Sequence, residues 1–263
     1  MEIRNSSTIV NLGEKTLLDE KITLGSNCKK ITIGYGCFIG ENVYIDVPEL
    51  VIGDYTTIHK NTTIHGSEKC EIGHNCWIGQ NTIIDSIGGM KIGNNVGIGT
   101  YSQLWSHMKF GDMLNGCRWN TKKKMVIEDD VWFVGHCIVS PVHAKKGSMA
   151  MLGSLVVKDM EENEIYAGSP AKNVKDKMGT QFSEIGIKEK KKIFKNYYKS
   201  FILENSIREA DLEYEELDEV QIRVGNTRFN LEERSYWPTR SDYEYKFMKY
   251  ILYDKAKFIP VVK

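Results

Sequence analysis

From Ile33 onward an aliphatic side chain returns every six residues. Ile33, Ile39 and Ile45 form a first group of three, followed by Ile52, Ile58 and Ile64, then Ile72, Ile78 and Ile84, then Ile92, Ile98 and Leu104. Glycine commonly comes next, as at Gly34, Gly40, Gly53, Gly73, Gly79, Gly93 and Gly99. Four residues after the aliphatic stands something small or β-branched: Cys37, Val43, Thr56, Thr62, Cys76, Thr82, Val96 and Ser102. A helical period of about 3.6 cannot produce a strict six, and a strand period of two does not account for the glycines. A short strand followed by a sharp corner does. The aliphatic residue points into a narrow interior, and glycine or asparagine near the bend accepts backbone conformations that a Cβ opposes. Three such faces close one triangular coil of about 18 residues, and stacked coils bury a continuous aliphatic column, as in a solenoid.

The regularity breaks at one corner. The groups begin at Ile33, Ile52, Ile72 and Ile92, so each coil runs one or two residues longer than three hexads. The extra residues follow the third face: Val47-Pro48-Glu49-Leu50, Gly66-Ser67-Glu68-Lys69 and Ser86-Ile87-Gly88-Gly89. The next group resumes only at Ile127, with Phe133 and Val139 after it, which leaves a long loop from Trp105 to Met125 at that same corner. Loops held by a rigid scaffold are where chemistry concentrates. Farther on, His143 and Lys145 fall at positions that should read aliphatic. Either that coil is distorted or the register slips there.

The loop opens Leu104-Trp105-Ser106-His107-Met108-Lys109-Phe110-Gly111-Asp112. Histidine titrates near neutral pH and suits the removal of a proton from an attacking hydroxyl or amine. The repeat resembles that of the hexapeptide-repeat acyltransferases, whose signature is aliphatic-Gly-x-x-small-x, over about Ile22 to Met178. The resemblance implies a mainly β fold, a left-handed parallel β-helix of hexapeptide repeats with a small C-terminal α/β addition. Left-handed winding departs from the usual right-handed crossover. In the sugar and small-molecule acetyltransferases of this family a histidine shortly after the repeat breaks is the general base. Ser106-His107 followed by Asp112 looks like that segment, so the resemblance makes His107 and Asp112 the catalytic candidates, with Gln103 and Trp105 beside them for the acceptor. Relatives commonly show Thr/Ser-His-x-x-Asp or a second histidine two residues on, whereas Lys109 and a displaced Asp112 stand here.

The later stretch resembles the closing segment of the same family. It reads Asp129-Asp130-Val131-Trp132-Phe133-Val134-Gly135, then Gly153-Ser154-Leu155, then Tyr166-Ala167-Gly168-Ser169-Pro170-Ala171-Lys172. By resemblance acetyl-CoA lies along the β-helix, near Trp132, Gly135, Gly153, Ser154, Ser169 and Pro170, with Lys172 meeting a phosphate as a point charge. Packing is the alternative for Trp132, and a turn that ends the helix for Gly168 to Ala171. The family's active sites commonly lie between subunits, so a homotrimer with inter-subunit sites is expected. Zinc-dependent carbonic anhydrases share the fold and bind metal through three histidines, one pair five residues apart. Positions 102 and 112 are Ser and Asp, so no such pair accompanies His107, and no metal is expected. His59 and His65 take places usually held by glycine, and His74, His136 and His143 lie in other coils.

Composition narrows the picture further. The chain has 35 basic and 35 acidic residues among 263, with no basic surplus for nucleic acid. It has no apolar run near 18 residues and no signal-like N-terminus, so the expected location is cytoplasmic and the expected partner a sugar or other small molecule. Cys28, Cys37, Cys76 and Cys137 occupy the small position of the repeat as packing residues, while Cys70 and Cys117 sit at insertions. These features divide the chain into a β-helix domain over 1–178, with loop 105–125 inserted, and an α/β extension over 179–263. In the extension, 187–204 has helical spacing and Val220–Val224 alternates like a strand. Gly225-Asn226 turns into a further strand, and Ser241 with Glu244 resembles a capping box. Tyr236, Trp237, Tyr243 and Tyr245 either pack or stack on a sugar or base. A non-catalytic β-helix used for binding or assembly is the other function class open to this sequence, and a carbonic anhydrase-like hydratase a third.

Overall fold

The structure is a computed structural model that describes residues 1–261. The chain divides into two compact units, 1–182 and 183–263. The first is a parallel β-helix whose three sheets hold seven, nine and eight strands. The hexads stack in register: Ile33 on Ile52, Ile72, Ile92 and Ile127 along the first face; Ile39 on Ile58, Ile78, Ile98 and Phe133 along the second; Ile45 on Ile64, Ile84, Leu104 and Val139 along the third. All of these side chains are buried. The small residues fill the corners from inside and return hydrogen bonds to the backbone of the next coil. Thr56 Oγ1 donates to the carbonyl of Gly73 at 2.8 Å and accepts from the N–H of Cys76 at 2.9 Å. The corner glycines are required by close stacking, since a Cβ on Gly99 would lie 1.9 Å from the Val134 carbonyl oxygen.

The β-helix starts earlier than the resemblance does. Glu2–Ile3, Ile9–Leu12 and Leu17–Leu18 form an initial coil that pairs with Thr23–Leu24, Lys30–Ile33 and Phe38–Ile39. Leu12, Leu18 and Leu24 already carry the six-residue period, but Ile3, Ile9, Leu12 and Leu17 are exposed at the end of the stack. The register at His143 also resolves. Ala144, not Lys145, stacks on Ile127 and is buried, because this coil is one residue shorter than three hexads. His143 therefore faces outward, where its Nε2 lies 2.6 Å from Glu128 Oε1. Cys70 is likewise an inward residue of the first face, stacked between Leu50 and Met90. Burial pushes its thiol up to about 12, so it stays an unreactive packing group.

Phe133 is fully buried, between Ile98 and Ala150. Its replacement by alanine is expected to cost about 3–5 kcal/mol through lost burial and an interior cavity. Chemical denaturation reads this as a lower midpoint at unchanged slope; a loss under about 1 kcal/mol would mean the neighbouring coils collapse into the gap.

His59, on the outer side of the second face, has its ring edge-on to Trp77 at 5.0 Å and near Phe38 at 6.2 Å. Desolvation lowers its pKa from the usual 6.5. The unfolded chain therefore takes up this proton first on acidification. The folded state loses stability as pH falls through about 6.5, and the penalty saturates below the folded pKa. Melting curves across this range should show a shallower acid decline for His59→Phe than for the native chain, and parallel curves would refute the assignment.

The second unit is a small α/β assembly. Helix Ile187–Glu204 and helix Asp242–Ile251 accompany a five-stranded sheet whose strands include Gln221–Val224, Thr227–Asn230 and Ser235–Trp237. Phe194, Phe229, Phe247 and Phe258 form an aromatic core, with ring centroids 5.0–5.9 Å apart. Ser241 Oγ accepts from the Glu244 N–H, but the Glu244 carboxylate turns instead to Thr227 and Thr239. Half of the capping box is thus realised. Tyr236 is fully buried and Tyr243 is partly exposed.

Candidate active site

The long insertion leaves the stack without disturbing it. Met125 still stacks on Met90 and Ile127 on Ile92, as though nothing intervened. Within the insertion, His107–Lys109 and Asn120–Lys122 pair antiparallel as a hairpin, with His107 opposite Lys122. Its foot rests on the bulge of the preceding coil. A Cβ on Gly88 would lie 2.5 Å from the carbonyl oxygens of both Ser106 and Lys123, so only glycine permits this contact.

Resting there, the hairpin covers Asp85. The carboxylate is completely buried, and Oδ1 accepts from the Ser106 N–H at 2.9 Å, from Ser106 Oγ at 2.6 Å and from His107 Nδ1 at 2.9 Å. The Ser106 hydroxyl in turn accepts from the Gly88 N–H at 2.8 Å. Ionised carboxylate can only accept, so Nδ1 of His107 carries the hydrogen and Nε2 keeps a free lone pair. The imidazole is thus held in the tautomer of a proton acceptor, with about a fifth of its side-chain surface open to solvent. The other carboxylate oxygen, Oδ2, is buried without a hydrogen bond, and His65 Nε2 stands 3.9 Å from it. Trp105 lies beside both imidazoles, its ring centroid 6.3 Å from His107 and 6.4 Å from His65, and its Nε1 donates to Gln103 Oε1 at 3.2 Å.

Of the residues singled out in the sequence, the structure brings Gln103, Trp105 and His107 together at the corner between the third and first faces. Asp112 is elsewhere. Its carboxylate accepts from the N–H groups of Leu114 and Asn115 and shapes the tip of the hairpin, while the partner of His107 is Asp85. Asp85 and His65 carried a readable signal. One residue past the third-face aliphatics Ile45, Ile64, Ile84 and Leu104 stand Asp46, His65, Asp85 and Trp105, a polar and aromatic column where glycine is the common occupant.

The residues that the resemblance assigns to the donor lie away from this corner. Trp132 lies on the second face, half exposed, with its ring over Gly97, whose Cβ would meet Trp132 Cδ1 at 2.9 Å. Gly135 and Gly153 stack at the corner between the second and third faces, where the Gly153 N–H donates to the Gly135 carbonyl at 2.9 Å. A Cβ on Gly153 would meet nothing within 4 Å, and Ile138 and Leu152 are exposed nearby in sequence. Ser154 is turned inward and buried. It stands four residues after the inward Ala150, so the repeat rule itself assigns it to the interior. Ser169 and Pro170 form the exposed turn of a hairpin in which Lys172 pairs with Ala167. Within one chain, the full width of the third face separates the His107 corner from the Gly135–Gly153 corner.

Among the described residues no group of three or more His, Cys, Asp or Glu is placed to hold a metal ion, and no helix is long and apolar enough to cross a membrane. No protein-family model matches the chain. Its fold is similar to several solved structures. The polySia-specific acetyltransferase NeuO is 21% identical, over 76% of this chain and 97% of its own, with a TM-score of 0.49. AntD, an N-acyltransferase from Bacillus cereus in complex with dTDP and 3-hydroxybutyryl-CoA, is 16% identical over 74% and 92%, at 0.45. The polysialic acid O-acetyltransferase OatWY is 18% identical over 70% and 92%, at 0.42.

Proposed function

We propose that the chain is an acyl-CoA-dependent acyltransferase of the left-handed hexapeptide-repeat family, transferring acetyl to a hydroxyl or amino group of a sugar, nucleotide sugar or glycan precursor. The observation that carries this reading is the His107–Asp85 pair, a proton-accepting imidazole oriented by a buried carboxylate at the foot of the one long excursion from the stack. His107 Nε2 takes the proton from the acceptor O–H or N–H as that atom attacks the thioester carbonyl. The C–S bond breaks, and the imidazolium returns the proton to the leaving thiolate. Backbone N–H groups of the cleft stabilise the oxyanion. Asp85 favours the imidazolium that forms in between. No covalent enzyme intermediate is involved.

The donor side fits a pantetheine chain. Gly153 leaves open space at its corner, Leu152 supplies exposed apolar surface there, and Trp132 and Ile138 are exposed on the two faces that meet at it. Because the base and the donor corner flank opposite edges of the third face, one chain does not complete the site. A cyclic trimer joins different surfaces of neighbouring copies, so it can set the His107 corner of one against the Gly135–Gly153 corner of the next. Calorimetry with acetyl-CoA, together with initial-rate kinetics read by free thiol, tests the whole reading. Saturable acetyl-CoA binding and intersecting ternary-complex patterns are expected. Ping-pong kinetics would exclude direct transfer, and a failure to bind acetyl-CoA would favour a binding or assembly module.

A further inference from the structure

We infer that the hairpin rising from the His107 corner grips an anionic acceptor, a sugar that bears carboxylate or phosphate. The inference rests on the acyltransferase reading above and specifies its substrate class. Residues 105–124 contain five basic side chains, Lys109, Arg118, Lys122, Lys123 and Lys124, against one acidic, Asp112, a net of +4 (5 − 1) in a chain whose formal charge is zero. Lys122 is paired with Glu68 of the stack at 2.8 Å, and Lys124 adds to the positive field that, after the hydrogen bond from Lys69, lowers the pKa of Glu71. Lys109, Arg118 and Lys123 have no ion pair among the described residues.

Lys109, Lys122 and Lys123 are placed by the backbone beside the base, and Arg118 stands nearer the tip of the hairpin. Lys122 faces His107 across the hairpin, and the Lys123 N–H donates to the Ser106 carbonyl at 3.0 Å. The apolar side chains of the same hairpin are turned outward. Phe110 and Leu114 are fully exposed and Trp119 is 72% exposed. An isolated two-stranded hairpin with no buried face gains little stability of its own, and exposed apolar clusters of this kind mark a binding surface. Cations interleaved with aromatic rings suit a ligand that offers a flat, partly apolar ring together with negative charge. An anionic sugar has both features. A neutral sugar would leave the three cations of the hairpin unanswered.

The test uses the full chain and three polymers, polygalacturonate, inorganic polyphosphate and neutral dextran, titrated calorimetrically without acetyl-CoA at low and high salt. One or both anions should bind, with affinity falling as salt rises, and dextran should not; the tighter anion identifies the charged group. In the Lys109→Gln, Arg118→Gln, Lys123→Gln variant, affinity should fall about tenfold or more at low salt. In the transfer assay, kcat/KM for glucuronic acid or glucose 6-phosphate should exceed that for glucose and fall in the same variant, with the acetyl-CoA Kd unchanged. Equal binding of dextran, or an unaffected triple variant, overturns the inference. So does a variant that loses acetyl-CoA affinity, which would place these cations on the donor's phosphates, or one that changes only the oligomeric state, which would place the hairpin against a second copy. A native chain that binds no acetyl-CoA removes the acyltransferase reading instead, and the polymer titrations still report on the hairpin.

Discussion

His107→Ala is expected to lower the rate of acyl transfer by about three orders of magnitude while leaving the fold and acetyl-CoA binding in place. General-base catalysis contributes about 10²–10⁴-fold, and the residual rate comes from holding donor and acceptor together. The fold is insensitive because the ring lies outside the stack, with Asp85 its hydrogen-bond partner. Steady-state turnover with an active acceptor, measured beside an acetyl-CoA titration, separates the two contributions. Undiminished turnover in the variant removes His107 as the base. Weakened acetyl-CoA binding at normal turnover would assign the ring to the donor instead.

The second large effect falls on Asp85, which we treat as a positioning residue acting through His107. Asp85→Asn keeps the size of the side chain but presents an amide in place of an acceptor-only carboxylate. It can offer hydrogens to Nδ1, and the imidazole then turns its lone pair toward Asp85 and its N–H toward the acceptor. A loss of about 10²–10⁴-fold in kcat, with much smaller change in acceptor KM, is expected from a wrong tautomer. Nitrogen NMR of the histidine side chains supplies the readout that a merely structural role would not move. In the native chain His107 should be protonated at Nδ1 and in Asp85→Asn at Nε2. An unchanged tautomer accompanied by lost activity would mean that Asp85 acts only by supporting the Ser106 corner. Thermal melts identify variants that fail to fold, and Ser106→Ala, which removes the 2.6 Å hydroxyl bond but keeps the carboxylate on His107, then serves as the milder perturbation.

Much of the fold was legible in the sequence because one rule repeats. An aliphatic residue every six positions placed Ile33 through Leu104 inside, and the small position placed Cys37, Thr56 and Cys76 at the corners. The rule lapsed where coils change length. Lys145 was counted inward because three full hexads were assumed after Ile127, whereas the chain shortens that coil and buries Ala144. The initial coil was obscured for another reason: four of the six aliphatic residues in its strands, Ile3, Ile9, Leu12 and Leu17, are exposed, and Lys15, Glu20 and Lys21 interrupt the pattern.

The site was legible in part. His107 stood out as the first histidine after the break, but its partner did not, because contact across a solenoid depends on coil spacing and not on nearness in the chain. Asp112 is five residues away in sequence yet bonds to the hairpin tip. Asp85 is 22 residues away yet lies directly beneath, one coil down. Counting back one coil from a candidate base, and then a second, and asking what polar residue stands in that column would have found Asp85 and then His65.

The unbroken stacking of Met90 on Met125 and Ile92 on Ile127 has a consequence for how such a protein can change. The corner works as a port: a segment can be spliced in or trimmed there while the coils above and below close over the gap without a change of register. Closing a longer loop costs only about 0.6 kcal/mol per doubling of its length. On the acyltransferase reading, selectivity for the acceptor can therefore be rewritten in the outer part of the hairpin, while Ser106 and His107 at its foot and the carboxylate of Asp85 beneath them stay in place. Recognition and durability are separately editable in this architecture, and a chimera that carries a foreign segment between Lys109 and Asn120, leaving Ser106 and His107 on Asp85, should keep the parent's melting behaviour.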